Sequence, residues 1–155
     1  EEAGATYECK TPEDKPPVTF APPMVITPGG AQVSQVSACT MALGKELGLW
    51  PTDLPSDMKA AQLCADAADA MSDGFSSKPA ERLGKWYAHF DSQLAASGGP
   101  FMFGEKLTAV DYCVMTSIEF NLSKEGYADE LAKNAKLTAY IEEMKKQKGY
   151  TATMA

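Results

Sequence analysis

Five side chains in this sequence carry metal-binding, redox or proton-transfer chemistry near neutral pH: Cys9, Cys39, Cys64, Cys113 and the single His89. A zinc site needs sulfur and nitrogen donors gathered tetrahedrally, and its trace in a sequence is cysteine and histidine pairs a few residues apart. Here the cysteines are widely scattered, with no C-x-x-C pair and no cysteine–histidine cluster. Neither a zinc site nor a disulfide framework is indicated, and one histidine rules out a multi-histidine metal centre. The expected set of metal ligands is therefore empty. The cysteines read as free thiols, three of them in apolar helical contexts, in an intracellular reducing compartment.

Thr108 and Asp111 form a polar pair three residues apart. Its spacing is that of a capping box: the threonine hydroxyl accepts from a backbone N–H three residues on, and the acid reaches back to the cap's own N–H. Each half of the box is expected to contribute about 1 kcal/mol. Leu107 stands where a staple contact to Tyr112 is expected. The run Tyr112-Cys113-Val114-Met115-Thr116-Ser117-Ile118 is apolar nearly all round, so it predicts a helix buried on most sides. The glycine-punctuated stretch Gly98-Gly99-Pro100-Phe101-Met102-Phe103-Gly104 leads into it as a loop.

The chain's other elements must surround that helix. Residues 1–22 are polar and carry Pro12, Pro16, Pro17 and Pro22; Thr6-Tyr7-Glu8-Cys9 is a candidate short strand. Pro23-Met24-Val25-Ile26, the turn Thr27-Pro28-Gly29-Gly30 and Ala31-Gln32-Val33-Ser34 predict a β-hairpin. A helix is expected from Ser34 to Gly48, with glycine as its stop. Long helices follow. Ser56 to Phe75 sets Ala60, Cys64, Ala67, Met71 and Phe75 on one stripe, and Lys78-Pro79 opens a helix with Leu83, Trp86, Tyr87, Phe90 and Leu94 inward. After the central helix come a short one near Asp129–Leu131 and a last one from Lys136 to Gln147. The sum is a small β-containing piece and a bundle of about five helices.

With 155 residues and a net charge of −7, the chain lacks the basic face of a nucleic-acid binder, and no apolar segment approaches membrane-spanning length. Lys145, Lys146 and Lys148 suit a helix C-terminus. The sequence begins Glu1-Glu2-Ala3 with no initiator methionine and no visible targeting peptide. Either such a segment has been removed or the sequence is a fragment. Import into a plastid or mitochondrion is compatible with this, and so is a peripheral place in an organellar membrane complex.

The order of residues resembles a known family. Gly98 to Asp111 is similar to the "GG-x-FGxxLTxAD" string at the start of the central helix of glutathione transferases, with Val110-Asp111 in place of Ala-Asp. Gln32-Val33-Ser34-Gln35-Val36-Ser37-Ala38 resembles the sigma-like class's "QVSQSxAI". Leu43 to Leu49 resembles "LAREFGL", Pro23 to Ile26 the "PVLE" strand with its cis-proline, Tyr7-Glu8 the "YED" of the second strand, and Lys136 to Tyr140 "PKLxAx". The resemblance implies an α+β, mostly α fold: a partial thioredoxin-like region over residues 1–49 and an all-helical C-terminal-type domain over residues 50–155. It also implies that the first strand and helix, which carry the thiol-activating residue in the family, do not fall within this sequence. No catalytic residue is assigned.

The glutathione site implied by the resemblance is Pro23, Gln35, Val36 and Ser37, and it departs from the family pattern. The residue before the cis-proline is Pro22, which has no N–H to offer the tripeptide. The serine that binds the γ-glutamyl carboxylate is replaced by Val36, although Gln35 remains and Ser37 follows. Losing a hydrogen bond to a charged group costs roughly 1.5–3 kcal/mol and an unpaired buried group about 1–3 more, which weakens binding by about two orders of magnitude or more. Asp66 or Asp69 matches the acid some members lend across a dimer interface, and an exposed helix face accounts for both equally well. Three functions stay open. The first is a non-catalytic module acting on protein partners, as a homodimer or in a larger complex, with no cofactor. The second is an active transferase using glutathione, and the third a crystallin-like or ligand-carrier protein using the cleft between its two parts.

Overall fold

The computed structural model describes residues 1–11, 13 and 20–154. Among them the elements run β1 (Met24–Ile26), β2 (Gln32–Ser34), α1 (Val36–Glu46), α2 (Leu54–Phe75), α3 (Ala80–Ser97), α4 (Ala109–Leu122), α5 (Tyr127–Leu131), α6 (Ala135–Met144) and α7 (Lys148–Met154). The hairpin forms as the glycine turn dictates. β1 and β2 pair antiparallel with Val25 opposite Val33, and Thr27 N–H closes on Ala31 O at 2.9 Å. The Pro22–Pro23 peptide is cis. Pro12, Pro16 and Pro17 lie outside the described residues.

Thr6–Cys9 is not a strand. A strand needs a neighbour to take its N–H and C=O groups, and among the described residues β1 pairs only with β2. The N-terminal residues are instead fastened by a side chain. Glu2 Oε2 accepts from the Tyr112 hydroxyl at 2.8 Å and from Gly149 N–H at 2.7 Å.

α1 starts at Val36 rather than Ser34, which belongs to β2. Gly44 lets Trp50 close onto it, since a Cβ there would stand 2.8 Å from the Trp50 ring. α2 is capped by Asp53, which accepts from Ser56 N–H at 3.0 Å. Its buried stripe is Ala60, Leu63, Cys64, Ala67, Ala70 and Gly74. The expected inward pair Met71 and Phe75 lies one position off that stripe: Met71 is half-buried and Phe75 is exposed, its ring 4.2 Å from that of Phe120. α3 ends at left-handed Gly98, as its glycines predict, with Leu83, Tyr87, Phe90 and Leu94 buried. Trp86 is half-buried against the core beside Phe90, its indole N–H on Asp73 at 2.8 Å and Arg82 over its ring.

α4 is the buried helix, packed on α1, α2, α5 and α6. Its capping box is formed. Asp111 is wholly buried and Oδ2 accepts from Thr108 N–H and the Thr108 hydroxyl, both at 2.8 Å. Oδ1 accepts from Met102 N–H, also at 2.8 Å, and so holds the preceding loop. The helical part holds one more element than expected. α7 follows α6 and is fixed to α4 by the Tyr150 hydroxyl on Glu119 at 2.5 Å. Lys145 and Lys146 end α6 in exposed pairs with Glu142 and Glu143.

Three hydrogen bonds onto one buried carboxylate make Asp111 more costly to lose than its cap spacing implies. Thr108→Ala is expected to cost about 1 kcal/mol and Asp111→Ala about 3 kcal/mol at pH 7, because two buried N–H groups lose their acceptor. Burial nevertheless pushes the Asp111 carboxyl up to about 6, against the hydrogen bonds that favour its charge. A folded pKa above the unfolded value of about 3.9 means the folded state binds the proton more tightly. The stability from that proton is complete below about pH 4 and is lost as pH rises through about 6, roughly 3 kcal/mol in all. Urea unfolding at pH 4 and pH 7 should therefore show a larger gap between parent and Asp111→Ala at the lower pH. An equal gap at both would contradict the assignment.

Candidate functional site

The sequence-predicted site residues meet where the hairpin turns into α1. Gln35 sits at φ 76° just before that helix; its N–H donates to Pro23 O at 3.1 Å and its own carbonyl receives Cys39 N–H at 2.9 Å. Pro23 thus supports Gln35 through its carbonyl. Gln35, Val36 and Ser37 then form one wall of a cleft of about 230 Å³. The opposite wall is α2, at Ala67, Ala68, Met71, Ser72 and Phe75, and Cys113 of α4 reaches the cleft from below.

One hydroxyl of this cleft is already engaged. The Ser37 hydroxyl donates to the Cys64 carbonyl of α2 at 3.0 Å. Val36, 37% exposed, presents its isopropyl group at the rim. The Cys39 thiol lies behind the wall, 3.4 Å from the Val33 carbonyl and 3.6 Å from that of Pro23, and burial pushes its pKa up. Asp66 and Asp69 do not line the cleft. Asp66 takes His89 Nε2 at 3.0 Å and Gln62 Nε2 at 3.1 Å on the α2–α3 face, while Asp69 is exposed.

Sequence reasoning missed Cys113 as a cleft residue. Its thiol donates toward the Cys64 carbonyl oxygen at 4.0 Å, and hydrogen bonding with the Cys64 side chain, then with that of Thr40, lowers its pKa against the cost of burial. The same contact with Cys113, with burial, raises Cys64. The two cysteines are 49 residues apart, too far for spacing to signal a contact that only the packing of α2 on α4 creates.

A two-strand hairpin feeding an all-helical bundle, with a cleft at their junction, defines the class of protein. The sequence model described as "Glutathione S-transferase, C-terminal domain" matches residues 58–152. The chain belongs to the glutathione S-transferase family. Among solved structures, a glutathione S-transferase from Actinobacillus pleuropneumoniae matches it with a TM-score of 0.64 at 17% identity, over 81% of this chain and 64% of that one. The chain therefore spans about 64% of the length of that structure, and at such identity the match shows the fold. The curated protein sequences give no match. Among the described residues, no helix is long and apolar enough to cross a membrane.

The position of Ser37 has a measurable consequence. Ser37→Ala removes a donor from a backbone carbonyl, so it should lower folding stability by about 1 kcal/mol, read as a lower urea midpoint at unchanged slope. A hydroxyl reserved for a ligand would leave the midpoint of the ligand-free chain where it is.

Proposed function

We propose that this chain is a non-catalytic glutathione-transferase-like protein that works through its surface, as a structural or interaction subunit of a larger assembly. The observation that carries this reading is the bond from the Ser37 hydroxyl to the Cys64 carbonyl. At the point where the resemblance places a carboxylate-binding serine, the rim offers Val36, and the next hydroxyl along is committed to the fold. Pro22 reinforces the reading, since it has no N–H with which to hold a peptide ligand. Meanwhile Val36, Met71 and Phe75 give the cleft an apolar rim, and Ile26 on β1 together with Leu54 and Met58 on α2 leaves further apolar side chains exposed. Apolar surface of this kind favours protein contacts over a tripeptide that carries two carboxylates and an ammonium group.

Calorimetric titration of this chain with glutathione, paired with a standard thiol-conjugation assay, tests the reading. No heat of binding at micromolar chain and no turnover above the uncatalysed rate are the expected results. Micromolar affinity or measurable conjugation would overturn it in favour of a working transferase. A native pull-down should retain a stoichiometric protein partner.

A further inference from the structure

Cys64 and Cys113 meet across the interface of α2 and α4 on the floor of the cleft. The two helices pack closely because the buried stripe of α2 includes Ala60, Ala67, Ala70 and Gly74. The Cys113 thiol donates toward the Cys64 carbonyl oxygen, 4.0 Å away, and the two cysteine side chains are in contact. The pair is unequal. Cys113 lines the cleft, so a small molecule entering there meets its sulfur. Cys64 is 1% exposed and stands behind it. Hydrogen bonding with the Cys64 and Thr40 side chains shifts the Cys113 pKa downward, toward the thiolate, the form that reacts. A cysteine that lines the cleft, here 6% exposed, touching a second and more deeply buried thiol is the arrangement that two-step oxidation requires. The other cysteines are placed elsewhere: Cys39 behind the α1 wall at the Val33 and Pro23 carbonyls, and Cys9 exposed near the N-terminus.

We propose that Cys113 and Cys64 form a reversible intrachain redox pair, which a small hydroperoxide entering the cleft converts to a disulfide. In the first step the Cys113 thiolate attacks one peroxide oxygen. An S–O bond forms and the O–O bond breaks, and the departing oxygen takes a proton and leaves as an alcohol, or as water from hydrogen peroxide. Cys113 is oxidised by two electrons to a sulfenic acid and the peroxide is reduced. In the second step the Cys64 sulfur attacks the Cys113 sulfur, forming the S–S bond and breaking the S–OH bond. Hydroxide departs with the Cys64 proton as water. A dithiol reductant reverses the change by exchange. The Cys64 carbonyl also holds the Ser37 hydroxyl, so a bridge at Cys64 is felt at the start of α1 beside Val36. This inference is independent of whether glutathione binds.

The test uses the full chain with Cys9→Ser, which removes the exposed thiol. It is exposed to hydrogen peroxide, then unfolded in an alkylating agent and weighed intact. Free thiols should fall from three to one, with a mass loss of two hydrogens and a Cys64–Cys113 linked peptide on digestion, all restored by dithiothreitol. Adding Cys64→Ser should leave Cys113 as a sulfenic acid that a cyclic 1,3-dione traps. A link to Cys39, or three intact thiols under peroxide that oxidises free cysteine, would overturn the proposal. Both readouts come from the Cys9→Ser chain alone, so the result does not depend on the second variant folding.

Discussion

The buried carboxylate of Asp111 is the constraint on which the rest of this structure depends. A charge with no exposed surface costs several kcal/mol to desolvate unless its oxygens are supplied with donors. Here both are supplied: Thr108 N–H and hydroxyl on one oxygen, Met102 N–H on the other. These donors come from different places, the cap of α4 and the loop before it, so meeting the charge's demand fixes the loop against the helix. The backbone of the same residue extends the tie, since its carbonyl accepts from the buried Tyr140 hydroxyl of α6 at 2.7 Å. One residue later than the cap, Ala109 N–H donates to Leu49 O at 2.8 Å. The first turn of α4 thereby joins the loop, the last helices and the segment leaving α1.

Once α4 is placed, the cleft follows from small residues on its neighbours. A Cβ at Gly74 would run into Asn121 Oδ1, and the Asn121 amide bridges Ala70 O and Ser117 O between α2 and α4. Lys124 reaches the Gly74 carbonyl at the same crossing. Gly44 performs the same service for Trp50, whose indole N–H then finds Asp57 at 2.7 Å. Helices brought this close leave no space for larger side chains between them, which is why two cysteines meet there and why the opening lies at the edge, where Met71 and Phe75 diverge from the buried stripe.

Features written in short-range patterns were legible in the sequence. The capping box, the glycine-turn hairpin, the left-handed stop at Gly98 and the buried run after Thr108 each need only neighbours within a turn or so. Features set by how whole helices cross were not. A stripe of period 3.6 tolerates a one-residue error, so the pattern points Phe75 inward where Gly74 is the residue that faces α4. Thr6–Cys9 has a strand's composition but, among the described residues, no strand to pair with. α7 is short and contains Gly149, a poor helix former, and the reason for that glycine is tertiary: a Cβ would stand 2.5 Å from the Tyr112 hydroxyl, which shares Glu2 with it. Nothing near Asp111 in sequence announces that Met102 would be its third donor.

The candidate site shows the same division at the scale of one residue. Its members, Gln35, Val36 and Ser37, were legible as a contiguous string, but the direction of each side chain depends on helical phase. Successive residues on an α-helix turn by about 100°. A hydroxyl at position 36 would stand at the rim, where Val36 now does. The hydroxyl at position 37 is rotated by that angle into the α1–α2 interface, and there the Cys64 carbonyl takes it. Ser37 therefore cannot stand in for a serine at its neighbour's place without unwinding the first turn of α1, and that turn is held by Cys39 N–H on Gln35 O. The hydroxyl at position 37 thus makes a packing contact between α1 and α2. The cleft keeps its outline from the fold, and Cys113 of α4 lies on its floor.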